Sequence, residues 1–131
     1  MATRRLLLTA CLVIWAQVVR AEPVLIGTPA SRVSTGPDST IRELLTPEQQ
    51  AEFRSVVEER DGRYFWVTKD DRELHYFSSG LFENYVCIDG CGHIKVNVRT
   101  GDYFESFAVA IGTVTYYGKA TVFGTVYSNG E

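Results

Sequence analysis

Hydrophobic and polar positions alternate most clearly over residues 82–99, F-E-N-Y-V-C-I-D-G-C-G-H-I-K-V-N-V-R. Phe82, Val86 and Ile88 fall on one face of a first strand, and Ile94, Val96 and Val98 on one face of a second. Glu83, Tyr85, His93, Lys95, Asn97 and Arg99 lie between and opposite them. A period of two predicts a half-buried antiparallel hairpin whose apolar face the rest of the chain covers. Residues 64–68 and 72–77 read as two earlier strands, separated by the polar turn Lys69-Asp70-Asp71 and followed by Ser78-Ser79-Gly80. With the hairpin they make a four-stranded antiparallel meander.

The pattern changes upstream. Thr46 is a natural N-cap, Pro47 suits the first helical position, and Gln49 completes a capping-box spacing. Phe53, Val56 and Val57 follow at i, i+3, i+4 and Gly62 stands as a stop, so a helix is expected here. Its stripe, Phe53 and Val57 above all, is expected to bury against the sheet face carrying Val86 and Val96. Residues 102–111 fit a second helix: Asp102 as cap, Glu105 three residues on, Phe104, Phe107, Ala108 and Ile111 on one face, and Gly112 after them. Residues 113–117 and 120–127 then fit a last hairpin across Gly118-Lys119. Residues 22–45 hold few large apolar side chains but Pro23, Pro29, Pro37, Gly27 and Gly36, the composition of a flexible N-terminal segment, with a short strand at Val24 to Ile26 as the alternative. The expected fold class is α+β. An N-terminal helix packs on the four-stranded meander, and a short helix and a C-terminal β-hairpin follow, all in one domain over 46–131.

Residues 1–21 read as a targeting signal. Arg4 and Arg5 form a basic start, a short apolar run follows, and Val19-Arg20-Ala21 offers a cleavage site before Glu22. The run is shorter than the roughly 20 apolar residues that cross a bilayer, so no stable membrane insertion is expected after cleavage. Leu8-Thr9-Ala10-Cys11 resembles a lipobox, but only three apolar residues precede the cleavage site and an apolar stretch follows it. Thr3-Arg4-Arg5-Leu6-Leu7-Leu8 resembles a twin-arginine export signal, and ordinary export signals also carry paired arginines. A periplasmic or secreted protein is the expectation on either route.

Charge narrows the partners. Without Arg4, Arg5 and Arg20, the 13 basic residues fall to 10 against 16 acidic, a net of about −6. An acidic domain argues against a nucleic-acid partner and leaves another envelope or secreted protein as the partner class. The domain is also small for an enzyme that must both bury a core and shape a cleft.

Chemistry concentrates at Cys87-Ile88-Asp89-Gly90-Cys91-Gly92-His93. In an oxidising compartment, glycines that allow a sharp bend favour a disulfide between Cys87 and Cys91. A metal site using both thiolates with His93 and Asp89 is the alternative, and a thiol nucleophile beside His93 a third. His75 reads as a solvated strand histidine or as an acid–base group near Glu73. Tyr85, His93, Lys95, Trp66 and His75 are the residues expected to face a ligand, aromatics being common at binding surfaces. No serine elbow, phosphate loop, metalloprotease helix or dinucleotide fingerprint occurs, so no catalytic residue, metal or cofactor is assigned. The reading is a small exported binding or inhibitor-type module; the alternative is a small periplasmic hydrolase or metal-dependent enzyme using His93 or His75.

Overall fold

The computed structural model describes residues 21–124. They form nine strands and one short helix: β1 (Glu22–Thr35), β2 (Thr40–Leu44), α1 (Pro47–Glu52), β3 (Ser55–Arg60), β4 (Arg63–Trp66), β5 (Arg72–Ser79), β6 (Phe82–Cys87), β7 (Gly92–Asn97), β8 (Asp102–Val109) and β9 (Gly112–Val122). From β3 to β9 each strand pairs antiparallel with the next, and β9 returns to pair with β1. The ring β1, β3–β9 is a closed eight-stranded barrel. β2 lies outside the ring, beside the second half of β1. The α+β expectation is therefore overturned: the fold is an all-antiparallel barrel in which every ring strand has two neighbours.

Closure depends on small residues where β1 meets β9. A Cβ on Gly118 would stand 2.1 Å from the Thr28 carbonyl oxygen and 2.7 Å from Pro29 Cα, so only glycine lets the two strands approach. The β1 prolines fall at irregularities of its ladders. Register slips between Pro23 and Leu25 against β3, and between Pro29 and Ser31 against β9. A residue without an N–H fits where the ladder is already interrupted. Residues 22–45, expected to be flexible, are thus a seam strand and its hairpin partner. Their low apolar content reflects small side chains at a crowded contact.

The barrel core is Leu25, Val57, Trp66, Leu74, Tyr85, Cys87, Ile94, Val96 and Tyr103. Tyr103 reaches across the interior to Gly27, where a Cβ would lie 2.6 Å from its ring. The interior is therefore filled by side chains through its middle, as a barrel of this strand number allows.

Four further expectations change. The upstream helix ends at Glu52, and Val56 and Val57 belong to β3. The capping box is real: Thr46 Oγ1 accepts from Gln49 N–H at 3.2 Å, and Gln49 Oε1 from Thr46 N–H at 2.9 Å. After one and a half turns, however, the β-branched Val56-Val57 pair gains more from two strand neighbours than from an exposed helix. Residues 102–109 are a strand, not a helix, with Tyr103, Glu105 and Phe107 inward and Phe104 and Ser106 outward. The last hairpin is one continuous strand through Gly118. In β6 the inward face carries Glu83, Tyr85 and Cys87, opposite Ile94 and Val96, while Phe82 and Val86 face out. Val57 and Val96 share the interior, but Val86 does not, and Phe53 lies at the barrel mouth. Of the targeting signal expected over 1–21, all but Ala21 lies outside the described residues, as do Tyr127 and the polar end 129–131.

Candidate functional site

One end of the barrel opens where β3 begins and β4 finishes. Ser55, Trp66, Glu105 and Tyr116 come from four different strands, and alternation turns all four inward. The link from Leu45 carries α1 across this end. Leu45 is buried, its N–H bonds the Ala30 carbonyl at 2.9 Å, and its own carbonyl accepts from Gln50 Nε2 at 3.1 Å. Phe53, the helix C-cap, then stacks on Tyr116 with ring centroids 5.5 Å apart. The Arg32 guanidinium lies 5.3 Å from the Phe53 ring centroid and donates to Glu43 at 3.0 Å. Beneath this lid is a cavity of about 260 Å³, bounded by Phe53, Trp66, Lys69, Glu105, Phe107 and Tyr116.

Glu105 is the unusual group of the mouth. It is only 4% exposed, and burial pushes its carboxyl up to about 7. The facing Ser55 hydroxyl and the more distant Lys69 ammonium lower it in part. Trp66 fixes the role of Ser55. The indole Nε1–H can only donate, and it does so to Ser55 Oγ at 2.7 Å, which leaves the serine proton to point at Glu105. Lys69 leaves the turn after β4 and lays its Nζ 3.1 Å from the Phe107 ring centroid and 5.5 Å from that of Trp66. Burial lowers the pKa of its ammonium. A carboxyl pushed up and an amine pushed down, both in one cleft, are the kind of perturbation that marks binding and reactive sites.

The other end differs. Glu59, Tyr64, Tyr76, Tyr85 and Phe123 border a wider hollow of about 440 Å³. Tyr64, Tyr76 and Tyr85 pack as a triad with centroids 5.0 to 5.8 Å apart, and the Tyr76 hydroxyl donates to the buried Glu83.

The five residues expected to face a ligand are divided by the barrel wall. Trp66 borders the Glu105 mouth and Tyr85 the tyrosine end. His75, His93 and Lys95 are on the outer surface. His75 pairs with Val86, which pairs with His93, so the two histidines stand two strand spacings apart, roughly 10 Å. His93 Nε2 lies 3.3 Å from the Asn84 amide oxygen and its ring meets Phe104 edge-on at 5.5 Å. Burial and the charge of Lys95 lower its pKa. Lys95 lies 4.4 Å from the Phe82 ring centroid, beside a shallow depression also lined by Phe104 and Tyr117. His75 is exposed over Phe77. Cys87 and Cys91 are bonded to each other, with Cα atoms 5.3 Å apart, so the two sulfurs and Asp89 that cluster there do not offer two free thiolates.

Glu105, Ser55 and Lys69 were not singled out by sequence reasoning. The available signal was Glu105 itself. Read as a strand, Tyr103-Glu105-Phe107 places one acid on an otherwise aromatic inward face. Read as a helix, the same glutamate looks like a capping residue.

Among the described residues no helix is long and apolar enough to cross a membrane. Comparison of the chain with protein-family models, curated proteins and solved structures finds no match in any of the three.

Proposed function

We propose that the chain is a small exported binding module that takes a small ligand in the mouth between α1 and Glu105. The observation that carries this reading is the cavity of about 260 Å³ at one end of a barrel filled through its middle, closing on a buried carboxyl and walled by Trp66, Phe107 and Tyr116. Mostly aromatic walls with one or two placed polar groups are what small-ligand sites have in common, and this volume, just under the usual range, suits a ligand of only a few heavy atoms. The geometry favours binding over hydrolysis. The partner of His93 is an amide, and neither histidine has a nucleophile or carboxylate bonded to it among the described residues.

A fragment screen followed by the Trp66 indole signal tests the reading in wild-type protein and in Glu105→Gln. Fragments that shift the indole resonance, and shift it less in the variant, support it. A screen in which every indole-shifting fragment binds both proteins equally would place the site elsewhere.

A further inference from the structure

The position of Lys69 carries more information than its membership of the cavity wall. It begins the turn between β4 and β5, in which Asp70 and Asp71 hold left-handed φ values of 53° and 54°. Backbone bonds pin the turn, with Lys69 N–H to the Trp66 carbonyl at 3.1 Å and Arg72 N–H to the Lys69 carbonyl at 3.3 Å. A lysine on such a turn has solvent on one side and acidic neighbours beside it. Its ammonium nevertheless lies over Phe107, near Trp66, and makes no ion pair among the described residues. A strongly hydrated, flexible side chain stays in such a place only where the place itself suits a cation. The faces of Phe107 and Trp66 carry the negative side of the ring quadrupole. Glu105 adds a buried carboxyl in the same cavity.

We propose that the mouth is a site for a small organic ammonium ligand, and that Lys69 is a tethered competitor whose ammonium occupies the ring face until the ligand displaces it to solvent. The assignment rests on the mouth being the ligand site, as argued above. With Lys69 swung out on its turn, a ligand ammonium meets Phe107 and Trp66 on its methylene side and Glu105 on its N–H side. An anionic ligand of the same size meets the Glu105 carboxylate instead, and a neutral one gains neither contact. Glu52, Arg54 and Tyr116 are the other ionisable groups lining the cavity, and Arg32 lies 6.0 Å from the Tyr116 ring centroid. The exposed Glu52 and Arg54 carry opposite charges at the rim, so ring faces and Glu105 dominate the interior.

The test uses the full chain carrying Trp15→Phe, which leaves Trp66 the sole tryptophan. Butylammonium, tetramethylammonium, butyrate and butanol are titrated at pH 8 against Trp66 fluorescence, in the parent and in Lys69→Gln. The expected result is an affinity for both ammonium probes at least tenfold higher in Lys69→Gln, with butyrate gaining nothing. In that background, Glu105→Gln should weaken butylammonium at least tenfold. Phe107→Leu, which keeps apolar volume but removes the ring face, should weaken tetramethylammonium at least fivefold. Ammonium affinity unchanged or lower in Lys69→Gln overturns the competitor role. Butyrate or butanol binding as tightly as butylammonium overturns the ammonium assignment while leaving the mouth a ligand site. If none of the four probes binds either protein, this proposal fails, and the fragment screen separately decides whether the mouth binds anything.

Discussion

Glu105 makes the barrel's stability depend on pH in an unusual direction. A carboxyl held at about 7 in the folded chain and at its ordinary 4.5 in the unfolded chain binds its proton more tightly when folded. Its stabilising contribution is complete below about pH 4.5 and is lost as pH rises through 7. About 2.5 pKa units correspond to roughly 3 kcal/mol. Exposed carboxylates such as Asp71, beside Arg60, and Asp102, beside Lys119, are held low and act in the opposite sense at more acid pH. The informative quantity is therefore the difference between wild type and Glu105→Gln. Urea unfolding at pH 5 and pH 8 should show the glutamine variant gaining on wild type by roughly 2.5 kcal/mol between the two pH values, since part of the effect is already lost at pH 5. A difference independent of pH would mean that the carboxyl is solvated in the folded protein. Ser55→Ala tests the neighbouring bond: it leaves the buried Trp66 N–H without its acceptor and should cost about 1–3 kcal/mol at pH 5, and more at pH 8, where the ionised Glu105 also loses the Ser55 hydroxyl.

β3 discriminates between helix and strand with two adjacent valines. On a helix, Val56 and Val57 would share one buried stripe. On β3, Val57 is fully buried in the barrel while Val56 faces outward and is partly exposed. Val57→Ala should cost roughly 2–3 kcal/mol and Val56→Ala well under half of that in the same unfolding assay. Equal costs would restore the helical stripe. The β6–β7 hairpin is the element held by the Cys87–Cys91 bridge, which closes so short a loop that its chain-entropy contribution is limited to about 2 kcal/mol. Chemical denaturation with and without reductant should differ by about that amount, and non-reduced mass analysis of alkylated protein should find neither cysteine labelled. Both hairpin strands were legible from period two. The inward face of β6 was not: Val86 and Ile88 outrank Glu83 on any hydrophobicity scale. The barrel instead buries Glu83 under the Tyr76 hydroxyl, and alternation from Glu83 turns Cys87 inward as well.

For the whole molecule, the decisive contact is the seam. Every other ring pairing joins strands adjacent in sequence, whereas β1 must meet both β3 and β9. Gly118→Val places side-chain atoms where the Thr28 carbonyl and Pro29 already stand. It should destabilise the domain by about 3 kcal/mol or more, with amide exchange rising first along β1 and β9. Uniform exchange across all strands would indicate that the seam is no weaker than the rest. Because the seam joins distant segments, folding should be slow for a chain of this size.

The amino-acid sequence alone determined whatever depends on neighbours within a few residues. The period-two hairpin, the Thr46 capping box, the polar turns and the tight Cys87–Cys91 spacing are local, and each is set by backbone sterics or short hydrogen bonds. Tertiary structure decided the rest. Residues 102–109 carry aromatic side chains on both faces because one face fills a barrel while Phe104 covers its outer wall beside His93. No single-segment periodicity can report two such environments. Residues 22–35 look structureless because Gly27 and Pro29 line a crowded seam, and their order comes from two partner strands far along the chain. The candidate site is of the same kind. Ser55, Trp66, Lys69, Phe107 and Glu105 are unremarkable where each stands in sequence, and only barrel closure, a non-local event, gathers them around one cavity.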